Sequence, residues 1–202
     1  MVKYDFTDFL LKVEEISQVG LKYSTDNYAL DNYYELSKLT KDYISNIDKI
    51  QKEDLNVFKK DVYPTPNVSV RTIFLSEDKK KVFLVREAVD GGWSFPGGWT
   101  EIGLSPMESA KKEVWEEAGS DCDIIRMIGA MDRYSGLRTT GTPEYILVYQ
   151  GVFKGEKHKP TYEILETGWF PINDLPEISK KNVRAQMDRM IKCAVEGTSL
   201  LD

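Results

Sequence analysis

The sequence predicts an α+β fold, with a small N-terminal helical unit followed by a domain that mixes strands and helices. Three observations carry that reading. Apolar residues recur at spacings of three and four through the first part of the chain, apolar runs bounded by turn residues begin at Val68, and a helix with complete start and stop signals lies between Ser105 and Gly119. A chain of 202 residues suits one domain of ordinary size or a small domain with an appendage, and 41% hydrophobic content is enough for a buried core.

In the N-terminal unit, Phe6, Phe9, Leu10, Val13 and Ile16 mark a first helix, and Gly20 breaks the pattern. A second helix is expected from near Ala29, capped by Asp26 or Asn27, to about Ile50, with Leu30, Tyr33, Tyr34, Leu36, Leu39 and Tyr43 on it. Six of the 11 tyrosines fall in this unit, which is too short to bury both its faces. Its aromatic surface is therefore expected to pack on the main domain or on a second subunit, as in a homodimer. Lys59 to Pro66, KKDVYPTP, reads as a linker, because its prolines enforce an extended path. The chain divides into 1–62, the helical extension and linker, and 63–202, the main domain.

The main domain opens with strands at Val68–Leu75 and Lys81–Arg86, joined by a turn at Glu77–Lys80. Strands at Ile124–Met131 and Tyr145–Phe153 flank a Gly/Thr-rich loop, Ser135–Pro143, long enough to line a pocket. A short strand at Gly168–Phe170, a turn from Ile172 to Leu175 and an amphipathic helix at Asn182–Val195 complete it.

Between these strands lies PGGWTEIGLSPMESAKKEVWEEAGS, residues 96 to 120. Ser105 reads as the N-cap, Pro106 as the first helical residue, Glu108 as the partner in a capping box and Gly119 as the left-handed stop. Met107, Ala110, Val114 and Ala118 form the stripe expected to face a core, flanked by Glu113, Glu116 and Glu117. Three acids at spacings of three and four repel one another, and the helix dipole disfavours carboxylates in the last turn. Something positive must compensate them, and on an exposed face solvent and Lys112 could do so. The Phe95-Pro96-Gly97-Gly98 turn presents backbone beside this helix, and hard oxygen donors so gathered suit Mg²⁺, with Mn²⁺ as a substitute.

This loop and helix resemble the Nudix box. With the box set on Gly98, Glu113, Val114, Glu116, Glu117 and Gly119 match. Leu104 stands where the box has its first Glu, Lys112 where it has Arg, and Ser120 where it closes on an aliphatic. The helical leader, PTP linker, Leu-Val-Arg-Glu hairpin and Trp-Ser-Phe-Pro-Gly-Gly-Trp turn extend the likeness to a bacterial Nudix subgroup over almost the whole chain. The resemblance implies a mixed β-sheet sandwiched between helices, and Mg²⁺-dependent hydrolysis of a nucleoside diphosphate linked to another group, ADP-ribose or CDP-choline. It also implies Glu113, Glu116, Glu117 and the Gly97 carbonyl as metal ligands.

Glu163 and Glu166 are the candidates for a further ligand or general base, with Glu113 and Glu117 the catalytic glutamates of the box. Arg71 could hold a phosphate or a neighbouring carboxylate, and Trp99 and Tyr134 could stack on a base or sugar. Alternatives are action on another nucleotide or an RNA 5′ end, or a nucleotide-binding regulator whose catalysis has decayed, for which Leu104 and Lys112 are the only support.

With 33 acidic against 27 basic residues and a net charge of −6, duplex nucleic acid and anionic membrane are not expected partners. No apolar run approaches the roughly 20 residues of a membrane span and no signal sequence is recognisable, so a cytoplasmic location is expected. Cys122 and Cys193 read as free thiols, and His158 as an exposed residue of a Lys-rich turn.

Overall fold

The computed structural model describes residues 6–48, 65–101, 104–133 and 143–201. Most of the predicted linker, and all of the predicted Ser135–Pro143 loop but Pro143, lie outside them. The chain forms two compact units, one comprising residues 1–67 with 133–144 and the other 68–132 with 145–202.

In the first unit, α1 (Phe6–Tyr23) and α2 (Asn27–Asp48) form a helical hairpin. Asp26 Oδ1 accepts from the Ala29 N–H at 2.8 Å, which settles the cap of α2 on Asp26. Gly20 does not end α1. A β-carbon there would lie 2.5 Å from the Tyr33 ring, so the glycine admits an aromatic from the facing helix. The interhelical core is Leu10 against Ile44, with Glu14 buried beside them. Phe6, Phe9, Ile16, Leu36, Leu39 and Tyr43 remain exposed.

The second unit holds two three-stranded sheets, ordered β1-β5-β4 and β3-β2-β6. The strands are β1 (Asn67–Phe74), β2 (Lys81–Glu87), β3 (Trp93–Ser94), β4 (Ser120–Asp132), β5 (Glu144–Glu156) and β6 (Ile164–Pro171). β2 pairs antiparallel with β3 and β6, and β4 with β5. α3 (Pro106–Ala118) follows β3, and α4 (Arg184–Glu196) follows β6.

Strand alternation on β2 assigns its two faces. Phe83 and Val85 pack with Phe74, Val114 and Ala118, on the α3 side. Val82 and Leu84 pack with Met187, Met190 and Ile191, on the α4 side. Each fully buried apolar side chain contributes about 1.5–3 kcal/mol, so Val114 and its neighbours fix the rotation of α3 and with it the direction of every other side chain on that helix. Odd-numbered residues of β2 thus face α3, and Glu87, the last of them, is buried. The fold is the α+β arrangement expected, with β3 added and the sheet divided in two. No described helix is long and apolar enough to cross a membrane.

Candidate active site

α3 is built as its sequence dictates. The Glu108 N–H donates to Ser105 Oγ at 3.3 Å, Glu108 Oε2 accepts from the Ser105 N–H at 2.8 Å, and Gly119 ends the helix at φ 61°, ψ 25°. Its buried side chains are Ser109, Ala110, Val114, Glu117 and Ala118. Met107 is not among them, being 45% exposed: it lies in the first turn, ahead of the stretch that rests on the sheet. Glu117 takes a place on the buried side instead, 5% exposed.

The Pro96–Thr100 segment runs alongside β1 and brings backbone to this face. Thr72 donates to the Pro96 carbonyl at 2.9 Å, Val70 to that of Gly98 at 2.8 Å, and Thr100 to that of Val68 at 3.0 Å. Two glycines are required by proximity. A β-carbon on Gly97, whose φ is 149°, would lie 2.1 Å from the Val70 carbonyl oxygen, and one on Gly98 would lie 2.6 Å from Glu113 Oε1. The turn therefore presses against the acidic helix, and the Gly97 N–H donates to Glu117 Oε2 at 2.7 Å.

The electrostatics follow from that enclosure. Burial pushes the Glu117 carboxyl up to about 7; Lys181 and the Gly97 N–H oppose the shift, and Glu87 and Glu113 add to it. Burial, then Glu116, raises Glu113, against the charges of Lys112, Arg71 and Lys181. Lys112 bridges Glu116 at 2.7 Å and Glu101 at 3.0 Å, and these contacts raise its own pKa. Where the box pairs Glu with Arg, this chain braces loop to helix through Glu101 and Lys112, and Leu104 is 36% exposed. Among the described residues no three acidic, histidine or cysteine side chains converge on one point. Glu116 is turned to Lys112 and Glu117 to Gly97, which spreads the three acids apart.

The other candidates divide. Arg71 is buried, its Nη1 donates to the Val70 carbonyl at 2.7 Å and its charge acts on Glu113, so the neighbouring-carboxylate reading describes its surroundings. Trp99 sits on the β1 side of the turn, bridged to Ser69 and 50% exposed. Glu163 and Glu166 are exposed, and Glu166 stands 3.4 Å from Arg86 Nη1. Arg86 alternates with Glu87 on β2, so that contact lies on the face turned from α3. Tyr134 lies outside the described residues. His158 is half-buried rather than exposed, its ring centroid 4.2 Å from that of Trp115.

Three residues of the site escaped the sequence reading. Buried Glu87 accepts from Ser94 Oγ and from Lys181 Nζ on the same oxygen, Oε1. An acid ending the Phe83–Val85 alternation was a usable signal for Glu87. Nothing local points to Lys181.

A profile of the NUDIX domain matches residues 65–192. The putative ADP-ribose pyrophosphatase YjhB of Bacillus subtilis (strain 168) is 32% identical over 184 residues, which is 89% of this chain and 87% of the relative. The crystal structure of a UDP-X diphosphatase superposes with a TM-score of 0.63 at 25% identity, covering 98% of both chains. That of an ADP-ribose pyrophosphatase from Streptococcus suis 89-1591 superposes at 0.55 with 27% identity, over 66% of this chain and 92% of that one. The family match, these relatives and the shared fold thus place the chain among hydrolases of diphosphate bonds. The chain belongs to the Nudix family, and is a Nudix pyrophosphatase with an N-terminal helical unit.

Proposed function

We propose that the protein hydrolyses, with Mg²⁺ or Mn²⁺, the diphosphate bond of a nucleoside diphosphate linked to another group, ADP-ribose first and CDP-choline next. The observation that carries this reading is Glu117, buried on the box helix and tied to the Gly97 N–H, with Glu113 at its side. Two partly or wholly buried carboxylates on one helix, each pushed up chiefly by burial, fit a divalent cation, since they are hard oxygen donors whose charge Lys181, Lys112 and Arg71 offset only in part. Glu113 and Glu117 would hold the ion, with Glu116 available on release from Lys112 and the Gly97 carbonyl added by likeness to the family. When bound, such an ion neutralises charge developing on phosphate oxygens and acidifies water beside it. The chain's own part is to fix the acids against the glycine turn, to present Arg71's charge beside Glu113, and to offer the Trp99 ring for stacking. The names borne by the Bacillus and Streptococcus relatives support ADP-ribose, and that of the UDP-X diphosphatase supports the wider class.

The test is a panel of ADP-ribose, CDP-choline, nucleotide sugars, NADH and dinucleoside polyphosphates with each metal. Turnover of ADP-ribose above the rest is expected. A chain that binds these ligands, shown by thermal stabilisation, yet yields no product with either metal would establish the regulator reading instead.

The division at residues 62 and 63, a homodimer and a cytoplasmic location belong to the same proposal. The exposed Phe6, Phe9, Leu39 and Tyr43 on the hairpin support an assembly role. A chain beginning at Val62 is expected to change its sedimentation, its solubility or its affinity for substrate. An unchanged chain by all three measures reduces the hairpin to an appendage.

A further inference from the structure

The pair formed by Glu87 and Lys181 sits inside the acidic site, yet neither belongs to the box. Glu87 enters on β2, on the face that looks at α3, and is 5% exposed. An unpartnered carboxylate so placed, close enough to raise Glu117's pKa, would be costly to bury. Two donors meet it, Ser94 Oγ from β3 and the Lys181 ammonium from the turn before α4.

The backbone on both sides of Lys181 is fastened at several points. The Ser179 N–H donates to the Trp93 carbonyl at 2.9 Å, and Asn182 donates back to the Ser179 carbonyl at 2.9 Å. Asp90 Oδ2 accepts from Ser179 Oγ at 3.0 Å and from the Lys180 N–H at 2.7 Å, while its Oδ1 accepts from the Gly92 N–H at 3.0 Å. A β-carbon on Gly92 would lie 2.4 Å from the Ser179 backbone, so the two segments touch without room for a side chain.

We propose that Lys181 is a resident counter-cation of the metal site, a positioning residue that keeps Glu87 out of the cation's ligand set and lowers the site's affinity for divalent ions. This rests on the metal-dependent reading above. The two charges are linked: a fixed ammonium that stabilises the anionic acids in the metal-free protein is a charge that an incoming cation must bind against. Its engagement with Glu87 from a rigid turn argues for that role over a free-swinging contact to substrate phosphate. Lys181's charge also acts on both Glu117 and Glu113.

The experiment is Mn²⁺ binding to the whole chain without substrate, followed by calorimetry and by the electron-spin signal of free Mn²⁺. Lys181→Met is expected to tighten binding by about fivefold or more, Glu87→Gln to weaken it by a similar factor, and the double variant, with the pair's charge again balanced, to return towards the parent. Should Lys181→Met fail to fold, Glu87→Gln and the double variant still decide. Affinity unchanged across the variants, or weakened by Lys181→Met, overturns the proposal; an unchanged Mn²⁺ affinity joined, in a parallel turnover assay, to a raised KM for ADP-ribose would make Lys181 a phosphate ligand instead. A parent that binds no Mn²⁺ overturns this proposal together with the functional reading, whereas a parent that binds it normally isolates the failure to Lys181.

Discussion

Two buried glutamates, one in each unit, are supported in opposite ways. Glu14 lies between α1 and α2 at 2% exposure, and its Oε1 gathers Gln18 Nε2 at 2.8 Å, Ser37 Oγ at 3.0 Å and Lys41 Nζ at 3.1 Å, while its buried Oε2 meets no donor. Glu117, at 5%, accepts one backbone N–H at 2.7 Å and lies between the charge of Lys181 and those of Glu87 and Glu113, with burial outweighing its support. Burial is the same; compensation is not. A carboxylate whose charge is answered by the chain's own donors joins helices together, whereas one left partly unanswered is available to a cation.

The sharpest way to break this comparison is activity. Glu117→Gln and Glu113→Gln should each lower hydrolysis by about a hundredfold or more at saturating substrate and Mg²⁺, while Glu14→Gln leaves turnover at the parental level. Near-parental rates in both site variants would remove the distinction.

Stability should separate the two sites in the opposite direction. Because the folded pKa of Glu117 is raised to about 7 from an ordinary 4.5, the folded metal-free chain holds a proton that the unfolded chain releases. The resulting stabilisation is full below pH 4.5 and is lost as pH rises through about 7. Metal-free Glu117→Gln should therefore exceed the parent by about 1 to 3 kcal/mol at pH 8, and the gap should close near pH 4.5 in thermal unfolding with chelator present. Glu14→Gln should cost about 1 to 2 kcal/mol, because its donors lose their charged acceptor.

The smallest effect concerns the altered box. Glu101 is exposed and Lys112 only half-buried, so their coupling should be only about 0.5 kcal/mol in a double-mutant cycle read by the Mg²⁺ dependence of turnover. Leu104→Glu should add little unless Lys112→Arg accompanies it, since lysine lacks a fork for a bidentate contact. Strict additivity in both cycles would show that loop and helix are not braced through residue 112.

The parts of the site written in consecutive residues were legible in the sequence. Ser105, Glu108 and Gly119 bound α3 through local hydrogen bonds and backbone conformation, and Val114 and Ala118 face the core as helical spacing requires. Sites that depend on distant neighbours were not legible. Gly20 looks like a helix stop until Tyr33 is placed against it, and Met107 satisfies the periodicity of α3 while lying beyond the surface that covers it. Glu166 has the right chemistry, but strand alternation pairs it with Arg86 on the other face of β2. Glu87 and Lys181 meet only because β2 and the turn before α4 are brought together, a fact with no local signature.

If Lys181 tempers the site as proposed, the contact between Gly92 and Ser179 gives an inconspicuous glycine a reach far beyond its own turn. Its substitution by alanine changes no charge and removes no hydrogen-bonding group, and by composition alone would pass as harmless. The added methyl would meet the backbone of Ser179 and Ile178, so the strand end and the turn that carries Lys181, two residues on, would have to part. Such a lesion would be inherited as a packing change and expressed as an altered appetite for metal.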